Sequence, residues 1–172
     1  MPTVIIIGGP NGAGKTTFAN EYLTAEDRDF DFVNADEIAR DLKKPSDVLA
    51  ARLMLVRIDK LAGAGADFAI ETTLANLGYA RKISLWQGRG YVVSLAYLRL
   101  INVEESIARV RKRVAAGGHD IPEETIRRRF DKSRHYFETI YRPIVDEWYV
   151  WESQGGGFTL RESWDGRHAS GT

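Results

Sequence analysis

The chain contains 172 residues, and its 24 Lys and Arg residues balance its 24 Asp and Glu residues, so the formal charge is zero. This length predicts one domain, and 44% apolar residues are enough to form a hydrophobic core. The lack of cysteine excludes a disulfide framework, a thiolate metal site and a cysteine nucleophile. No apolar stretch approaches the ~18 residues of a membrane span, and no basic leader precedes one, so we expect a cytoplasmic protein without a membrane partner.

Strand-like and helix-like segments alternate along the chain. Short β-branched and aromatic runs predict strands, whereas apolar residues spaced three or four apart predict helices. In chain order the predicted elements are a strand over residues 3–8, a helix over 15–23, a strand over 30–33, a helix over 46–61, a strand over 67–71, a helix over 76–86, a strand over 90–98, helices over 103–115 and 122–148, and a strand over 149–152. This alternation predicts an α/β domain with a parallel sheet covered by helices.

Local signals add three expectations to this outline. In the helix over 46–61, we expect Leu49, Leu53 and Val56 to face the core, because they share one side of a helix. The last long predicted helix is expected to kink near Pro143. Residues 155–172 are rich in glycine and polar side chains, and we expect a loosely ordered tail there.

Residues 9–16 match the phosphate-binding pattern G-x-x-x-x-G-K-[ST] in full and lie between a predicted strand and a predicted helix. The glycines let the backbone N–H groups surround a polyphosphate, and the start of the helix adds a positive dipole end. Lys15 is expected to reach the β- and γ-phosphates, and the Thr16 hydroxyl to ligate Mg²⁺. The predicted ATP- and Mg²⁺-binding residues are Gly9, Pro10, Asn11, Gly12, Ala13, Gly14, Lys15, Thr16 and Thr17.

Two other classes of P-loop protein do not fit the sequence. A transporter-type ATPase cassette needs an LSGGQ-like signature and a late apolar strand that ends in Asp-Glu, and the chain has neither. A GTPase needs an Asn-Lys-x-Asp motif to recognise guanine, and this motif is also missing. With these two classes excluded, the short chain favours a small kinase.

Acidic and hydroxyl side chains follow the second and third predicted strands. Asp36 lies 21 residues after Lys15, at the carboxyl end of a strand, where ligands of open parallel sheets bind. It could accept a proton from a substrate hydroxyl, or it could simply cap the next helix. Glu71 and Thr73 could hydrogen-bond a hydroxyl-rich substrate, or they could form the turn that ends the strand.

The segment from Arg99 to Arg134 is the basic part of the chain, with ten Lys and Arg residues against six Asp and Glu residues, a net charge of 10 − 6 = +4. Two arginine-bearing helices flank a loop that contains Gly117, Gly118 and His119, which indicates a lid that closes arginines over a transferring phosphoryl group. Most of these arginines are expected to lie on solvated faces or in ion pairs. The zero net charge and the missing nucleic-acid-binding module argue against a nucleic-acid partner.

Four motifs occur in order along residues 2–153, namely GGPNGAGKTT, VNADEIA, AIETTLA and, after a basic helix, GGHDIPE. Together they resemble the zeta-toxin-like P-loop kinases. This resemblance implies a five-stranded parallel sheet of order 2-3-1-4-5, with helices on both faces and an arginine-bearing lid. With the composition of the tail, we expect a kinase domain over 1–154, with the lid over about 109–129, and the tail over 155–172.

The resemblance also implies roles for individual residues. Lys15 and Thr16 match the phosphate and Mg²⁺ positions of the family, and Asp36 matches its catalytic base. Glu71 and Thr73 match the substrate-contacting positions of an E-x-T motif.

The match in the lid is partial. Arg109 aligns with one lid arginine of the family, whereas the second falls near His119 and is not arginine here. Arg113 or Arg129 could take its place from a neighbouring turn.

The expected activity is therefore phosphoryl transfer from ATP to a hydroxyl of a small molecule. The founding members of the family phosphorylate UDP-N-acetylglucosamine, a nucleotide sugar, and are inhibited by an antitoxin protein. Two alternatives stay open, a polynucleotide or nucleoside kinase on the same scaffold and a non-catalytic protein that binds ATP and a partner.

Overall fold

The computed structural model describes residues 1–44 and 46–166, which form one six-stranded sheet with helices on both faces. The elements in chain order are β1 (Thr3–Gly8), α1 (Lys15–Ala25), β2 (Asp31–Val33), α2 (Ala35–Asp41), α3 (Asp47–Ala64), β3 (Phe68–Thr72), α4 (Gly78–Gly88), β4 (Val92–Arg99), α5 (Val103–Ala115), α6 (Glu123–Tyr136), a π-helical turn (Phe137–Tyr141), β5 (Glu147–Gln154) and β6 (Gly157–Trp164). None of the helices within these residues has the length and apolarity needed to cross a bilayer.

The sheet has the order β2-β3-β1-β4-β5-β6, and its first five strands are parallel. This arrangement confirms the predicted α/β class, while the sheet has six strands rather than five because β6 pairs antiparallel with β5. β1 lies between β3 and β4, with Gly8 opposite both Thr72 and Tyr97. The carboxyl ends of β1, β2 and β3 therefore meet at one edge, where ligands of open α/β sheets bind.

Alternate residues of the central strands pack against different helices. Val4 and Ile6 face a large core with side chains of α3, α4 and the π-helical turn, whereas Ile5 and Ile7 face α1. Both faces of β1 are thus buried, which explains its continuous β-branched run. A third, smaller core around Ile107 joins α5 to α6.

The predicted buried face of α3 is wrong. Leu49, Leu53 and Val56 are 42%, 38% and 61% exposed, and the helix instead buries a stripe that includes Ala50 and Met54. Apolar residues occur on several sides of α3, so helical periodicity alone could not choose between the stripes.

The predicted helix that starts at Pro122 ends earlier than expected. α6 widens into the π-helical turn, in which the Arg142 N–H donates to the Phe137 carbonyl 2.9 Å away. Pro143 has no N–H with which to continue the helix. β5 follows and begins at Glu147, so Trp148 pairs with Leu95 of β4 rather than ending a helix.

The expectation of a loose tail is wrong for residues 157–164, which form β6. Gly155 and Gly156 have φ angles of 60° and 80°, and they form the two-residue loop between β5 and β6. Consecutive positive φ values are typical of the hairpin turn whose twist matches that of paired strands, and Gly-Gly is one of its sequence signals. Residues 167–172 of the predicted tail lie outside the described residues.

β6 also supports the start of α1. The Phe158 ring lies 5.2 Å from the Phe18 ring, edge to face, and a Cβ on Gly14 would lie only 3.2 Å from its Cζ atom. Phe18 in turn contacts Trp151 of β5 at a centroid distance of 5.3 Å. The hairpin therefore forms part of the wall behind the phosphate-binding segment.

Replacing Phe158 with alanine should lower the free energy of unfolding by about 2 kcal/mol, less than the ~3–5 kcal/mol of a fully buried phenylalanine. Leu160→Ala is the matched control, because Leu160 lies on the same strand but is 44% exposed; its effect should stay below about 1 kcal/mol. Urea denaturation measures both. Equal, small effects would contradict a supporting role for β6.

Candidate active site

The phosphate-binding segment follows β1 directly and wraps around the start of α1. Its shape requires glycine at two positions in particular. Gly9 has a φ of 152°, and a Cβ there would lie 2.6 Å from the Leu98 carbonyl oxygen. Gly12 has a φ of 80° and packs against the backbone of α5 at Ser106. Larger residues would move the loop away from the end of the sheet.

Lys15 is buried at the first turn of α1, with 8% of its surface exposed. Its ammonium donates to the Gly9 carbonyl at 3.1 Å and to the Pro10 carbonyl at 3.0 Å. Burial lowers the pKa of Lys15, opposed by the charge of Glu71. Because an ammonium has three donors, one remains for a phosphate oxygen.

A hydrogen-bonded group links the start of α1 to the ends of β2 and β3. The Thr16 hydroxyl donates to Glu71 Oε2 at 2.8 Å, and the Asn34 amide donates to the same carboxylate oxygen at 3.0 Å. Asn34 also caps α2, since its side-chain oxygen accepts from the Asp36 N–H at 2.8 Å. Asn34 therefore has the capping role that the sequence left open for Asp36.

Asp36 and Lys15 line one large cavity of about 770 Å³, which we call the chamber. Its remaining walls come from the phosphate-binding segment, the ends of β2 and β3, the start of α3, and the lid formed by α5, α6 and the loop between them. Glu71 and Thr73 also line it, as their predicted substrate roles require. Other polar lining residues are Asn11, Asn34, Asp47, Thr72, Asn76, Arg113, His119, Asp120, Thr125, Arg128, Arg129 and Lys132.

Thr73 and its neighbours also form the turn after β3. The Thr73 hydroxyl accepts from the Ala75 N–H at 3.4 Å, and the Thr72 hydroxyl accepts from the Leu74 N–H at 3.1 Å. Leu74 between them is buried and has a φ of 54°, a left-handed conformation that is costly for leucine. The segment after β3 therefore forms a turn and also lines the chamber.

The lid contributes a set of cations without carboxylate partners. Within the described part of the chain, Arg113, Arg128, Arg129 and Lys132 form no ion pair, although all four line the chamber. The charges of Arg113 and Arg129 contribute to the lowered pKa of Lys15, so both arginines lie near the phosphate-binding segment.

Two lid cations whose side chains lie outside the chamber, Arg111 and Arg127, are paired. Arg127 contacts Glu123 at 2.9 Å and Glu104 at 3.2 Å, and Arg111 contacts Glu123 at 2.5 Å. The four unpaired cations lie on the chamber side instead. A cleft lined by cations attracts an anionic ligand.

The structure places Arg113 in the chamber, but it does not place Arg109 there. Arg109 donates to the Ser153 hydroxyl at 2.7 Å and to the Gly12 carbonyl at 3.3 Å, and it pairs with Glu105 at 2.6 Å. It connects α5, the phosphate-binding segment and β5 behind the chamber. Alignment of motifs could not reveal this orientation, because Arg109 and Arg113 are one helical turn apart.

The lid loop reaches the opposite wall of the chamber. His119 Nε2 lies 3.7 Å from Asp47 Oδ2 at the start of α3. Asp47, Asn34 and Arg128 are lining residues for which sequence reasoning proposed no role. Only Asn34 had a usable signal, because it is the first polar residue after a buried strand at the ligand-binding edge.

The residues near Thr16 fit a magnesium ion that is completed by a nucleotide. No cluster of three or more acidic or histidine side chains with metal-binding geometry occurs within residues 1–44 and 46–166. Mg²⁺ in phosphoryl-transfer sites needs only one or two protein oxygens, because phosphates and waters supply the others. The Thr16 hydroxyl and the Glu71 carboxylate are hard oxygen ligands of this kind.

Together the fold and the phosphate-binding segment define a P-loop kinase-like protein. A family model described as an AAA domain matches residues 4–140, and the chain belongs to this family.

The chain is similar in sequence to one relative, and its fold is similar to that of several solved structures. An uncharacterized protein of Haemophilus influenzae (strain ATCC 51907 / DSM 11121 / KW20 / Rd) is 26% identical over 126 residues, which span 71% of this chain and 88% of that protein. A chain from the PezAT chromosomal toxin–antitoxin system of Streptococcus pneumoniae superposes with a TM-score of 0.72 at 17% identity, covering 100% of this chain and 74% of that one. The AvrRxo1-ORF1:-ORF2 complex with ATP gives a TM-score of 0.70 at 18% identity, covering 96% of this chain and 59% of that one.

Removing the Arg109 side chain should lower the free energy of unfolding by about 1.5–3 kcal/mol, because buried carbonyl and hydroxyl groups lose a charged donor. Arg111→Ala is the control on the same helix; its exposed ion pair should contribute less than about 1 kcal/mol. Denaturant unfolding of both variants separates them. An Arg109→Ala protein as stable as Arg111→Ala would contradict the bracing role of Arg109.

Proposed function

We propose that the protein is a kinase that transfers the γ-phosphoryl group of ATP, with Mg²⁺, to a hydroxyl of a small molecule. The observation that carries this proposal is that Lys15 and Asp36 line the same chamber. Lid cations without ion-pair partners among the described residues line it as well. A triphosphate donor, a carboxylate base and positive charge for the transition state are the parts that phosphoryl transfer needs.

On the donor side, the phosphates would bind to backbone N–H groups of the P-loop and to the third ammonium N–H of Lys15, which has no partner among the described residues. The Thr16 hydroxyl would hold Mg²⁺, and the Glu71 carboxylate lies 2.8 Å from that hydroxyl. When bound, Mg²⁺ neutralises charge on the phosphate oxygens. Arg113 and Arg129 lie near enough to Lys15 to lower its pKa, and they would stabilise the charge of the transferring group.

On the acceptor side, Asp36 would accept the proton of the attacking hydroxyl. Its backbone N–H is bound to the Asn34 side chain, so the first turn of α2 fixes its position at the edge of the chamber. Glu71 and Thr73 would bind further hydroxyls of the acceptor. A carboxylate positioned in this way contributes typically ~10²–10⁴ in rate as a general base.

The chamber favours an acceptor that carries its own negative charge. Arg113 and Arg129 are assigned to the donor phosphates, which leaves Arg128 and Lys132 as lining cations without a partner in the described residues. A nucleotide sugar such as UDP-N-acetylglucosamine supplies both hydroxyls and phosphates, and a cavity of about 770 Å³ is large enough for such a ligand. We therefore propose this class of acceptor.

A partner protein that controls the kinase is the third part of the proposal. Its support is the similarity to a chain from the PezAT toxin–antitoxin system, which extends over 100% of this chain. Co-purification of a stoichiometric small protein that blocks ATP binding would support an antitoxin, and a protein that purifies and works alone would oppose one.

A polynucleotide kinase is a second candidate, because Arg128 and Lys132 could equally bind the phosphates next to a nucleic-acid end. Oligonucleotide binding would then weaken steeply with salt, since each phosphate contact releases counterions. Binding of a nucleotide sugar involves fewer phosphates and should show a smaller salt dependence.

The deciding experiment is transfer of labelled phosphate from ATP to a panel of nucleotide sugars, nucleosides and oligonucleotides in the presence of Mg²⁺. A labelled nucleotide sugar would support the proposal, and a labelled oligonucleotide would favour the second candidate. ATP binding without transfer to any acceptor would contradict both and favour a non-catalytic ATP-binding partner.

Asp36→Asn should bind ATP as the wild type does but turn over at least ~10²-fold more slowly, because the amide cannot accept the hydroxyl proton. Glu37→Gln is the control, since Glu37 is the neighbouring acid in the same helical turn and does not line the chamber. Steady-state transfer rates and ATP titrations measure the two properties. Unchanged turnover in Asp36→Asn would rule out the base assignment.

Arg128→Ala should raise KM for a phosphate-bearing acceptor by about tenfold or more, with little change in KM for ATP, because a charged hydrogen bond to the acceptor is lost. Arg127→Ala removes the preceding arginine, which pairs with Glu123 and Glu104 outside the chamber, and should leave both constants unchanged. Equal effects of the two substitutions would oppose an anionic acceptor at Arg128.

A further inference from the structure

Exposed apolar residues are concentrated on α3. Within the described residues, no other helix or strand carries more than two large apolar residues that are exposed, whereas α3 carries five in its first ten residues. They are Val48, Leu49, Leu53, Leu55 and Val56, with exposed fractions between 38% and 73%. Single apolar residues are normal on a protein surface, but a contiguous apolar patch marks an interaction site.

The patch lies on the side of α3 that faces away from the sheet. The buried stripe of the helix consists of Ala50, Met54, Ile58 and Ala62. Each residue turns a helix by about 100°, so Leu49 and Val56 lie opposite this stripe, and Gly63 continues their line towards the end of α3. Arg52 and Asp59 lie together along one edge of that line. We call Leu49, Arg52, Val56, Asp59 and Gly63 the outer face of α3.

Gly63 leaves an open depression at one end of the outer face. A Cβ on Gly63 would meet no atom outside its own helix within 4 Å, and its φ is not one of the positive values that favour glycine. Glycine is among the poorest helix formers, and no contact in the described structure requires it here. A glycine is useful where another chain approaches the backbone closely.

The outer face is complementary to itself when two copies run in opposite directions. About a centre between Leu55 and Val56, Arg52 of one helix lies level with Asp59 of the other, and the two-fold axis repeats this pair. Both residues lie on the same edge of α3, and antiparallel packing brings these two edges together. Leu49 of each copy then lies within one residue of the level of Gly63, whose depression can receive it.

The charges of this edge are available for such a pair. Arg52 is exposed and forms no ion pair within residues 1–44 and 46–166. Asp59 contacts Lys82 at 2.6 Å through Oδ1, but its side chain is 64% exposed, so the carboxylate can accept a second cation. Antiparallel helices also bring opposite ends of their dipoles together.

We propose that α3 is a dimer interface, at which the outer faces of two copies of this chain pack antiparallel, with Leu49 against Gly63 and Arg52 beside Asp59. Both the apolar patch and the charge order favour a second copy over an unrelated partner, because the face supplies its own complement. The interface is independent of the proposed function, since none of the outer-face residues lines the chamber.

The test is sedimentation equilibrium of the full chain over ~1–100 μM, where we expect a dimer that dissociates on dilution. Val56→Glu places two carboxylates next to the two-fold axis and should raise the dimer dissociation constant by ~10²-fold or more. Leu85→Glu is the matched control, because Leu85 of α4 is 57% exposed and Val56 is 61% exposed. It should leave the dissociation constant within about twofold.

Gly63→Leu tests the close approach without adding charge. It fills the depression and should raise the dissociation constant by ~10-fold or more, while the monomer stays folded because leucine is the better helix former. Gly88→Leu is its control, since a Cβ on Gly88 of α4 also meets no atom within 4 Å. Far-UV circular dichroism checks that each variant is folded.

Arg52→Glu tests the charge pair. It should raise the dissociation constant by ~10-fold or more at low salt and by less at about 1 M salt, because screening weakens the repulsion from Asp59 of the second copy.

A wild-type protein that stays monomeric at ~100 μM would overturn the proposal, including the case in which a different protein covers this face. A dimer that Val56→Glu and Gly63→Leu leave intact would overturn it as well, because the copies would then meet at another surface. Equal weakening by Val56→Glu and Leu85→Glu would show an effect of charge alone and contradict it too. Phosphoryl transfer does not enter these measurements, so loss of the proposed function would not change their outcome.

Discussion

The buried ammonium of Lys15 is the constraint on which the rest of the site depends. A charge removed from water must be surrounded by compensating groups, and here those groups are carbonyls of its own loop and the Glu71 carboxylate. The loop can supply its carbonyls only because glycines at 9 and 12 let it turn back over the end of β1. Glu71 must in turn lie on β3, next to β1, within reach of α1. The glycines of the loop, the carbonyls that they position and the place of Glu71 on the strand beside β1 thus act together to stabilise one buried charge.

The acidic side of the site is shared between the ends of β2 and β3 rather than concentrated at one residue. Asn34 binds the Glu71 carboxylate with its amide and the Asp36 N–H with its oxygen, so a single neutral side chain holds that carboxylate and the main chain at Asp36. This arrangement keeps Asp36 free of any structural hydrogen bond through its carboxylate among the described residues. A base must remain available to substrate, and a separate capping residue makes that possible.

The sequence was sufficient for features that depend on neighbouring residues. The P-loop and the first five strands, with their order, were predicted because a contiguous motif and β-branched runs encode them, the order through the family resemblance. Features decided by tertiary packing were missed. Two apolar stripes on α3 competed, and only the sheet selects the one with Ala50. The Gly-Gly turn before β6 was a local signal, but glycine content suggested a loose tail. The direction in which Arg109 points depends on Ser153, which is 44 residues away.

The zero net charge of the chain does not show which of its cations are paired and which are available to a ligand. Consecutive residues on α6 point in different directions because each helical step rotates the side chain by about 100°. Arg127 therefore meets Glu123 and Glu104 outside the chamber, while Arg128 and Arg129 line it without partners in the described chain. Outside, paired charge contributes little to stability and much to solubility. Inside, Asp36, Asp47, Glu71 and Asp120 line the same chamber, so acidic and basic side chains share its wall. The zero net charge therefore does not show that, at this one site, lid cations stay without ion-pair partners among the described residues and remain available to an anionic ligand.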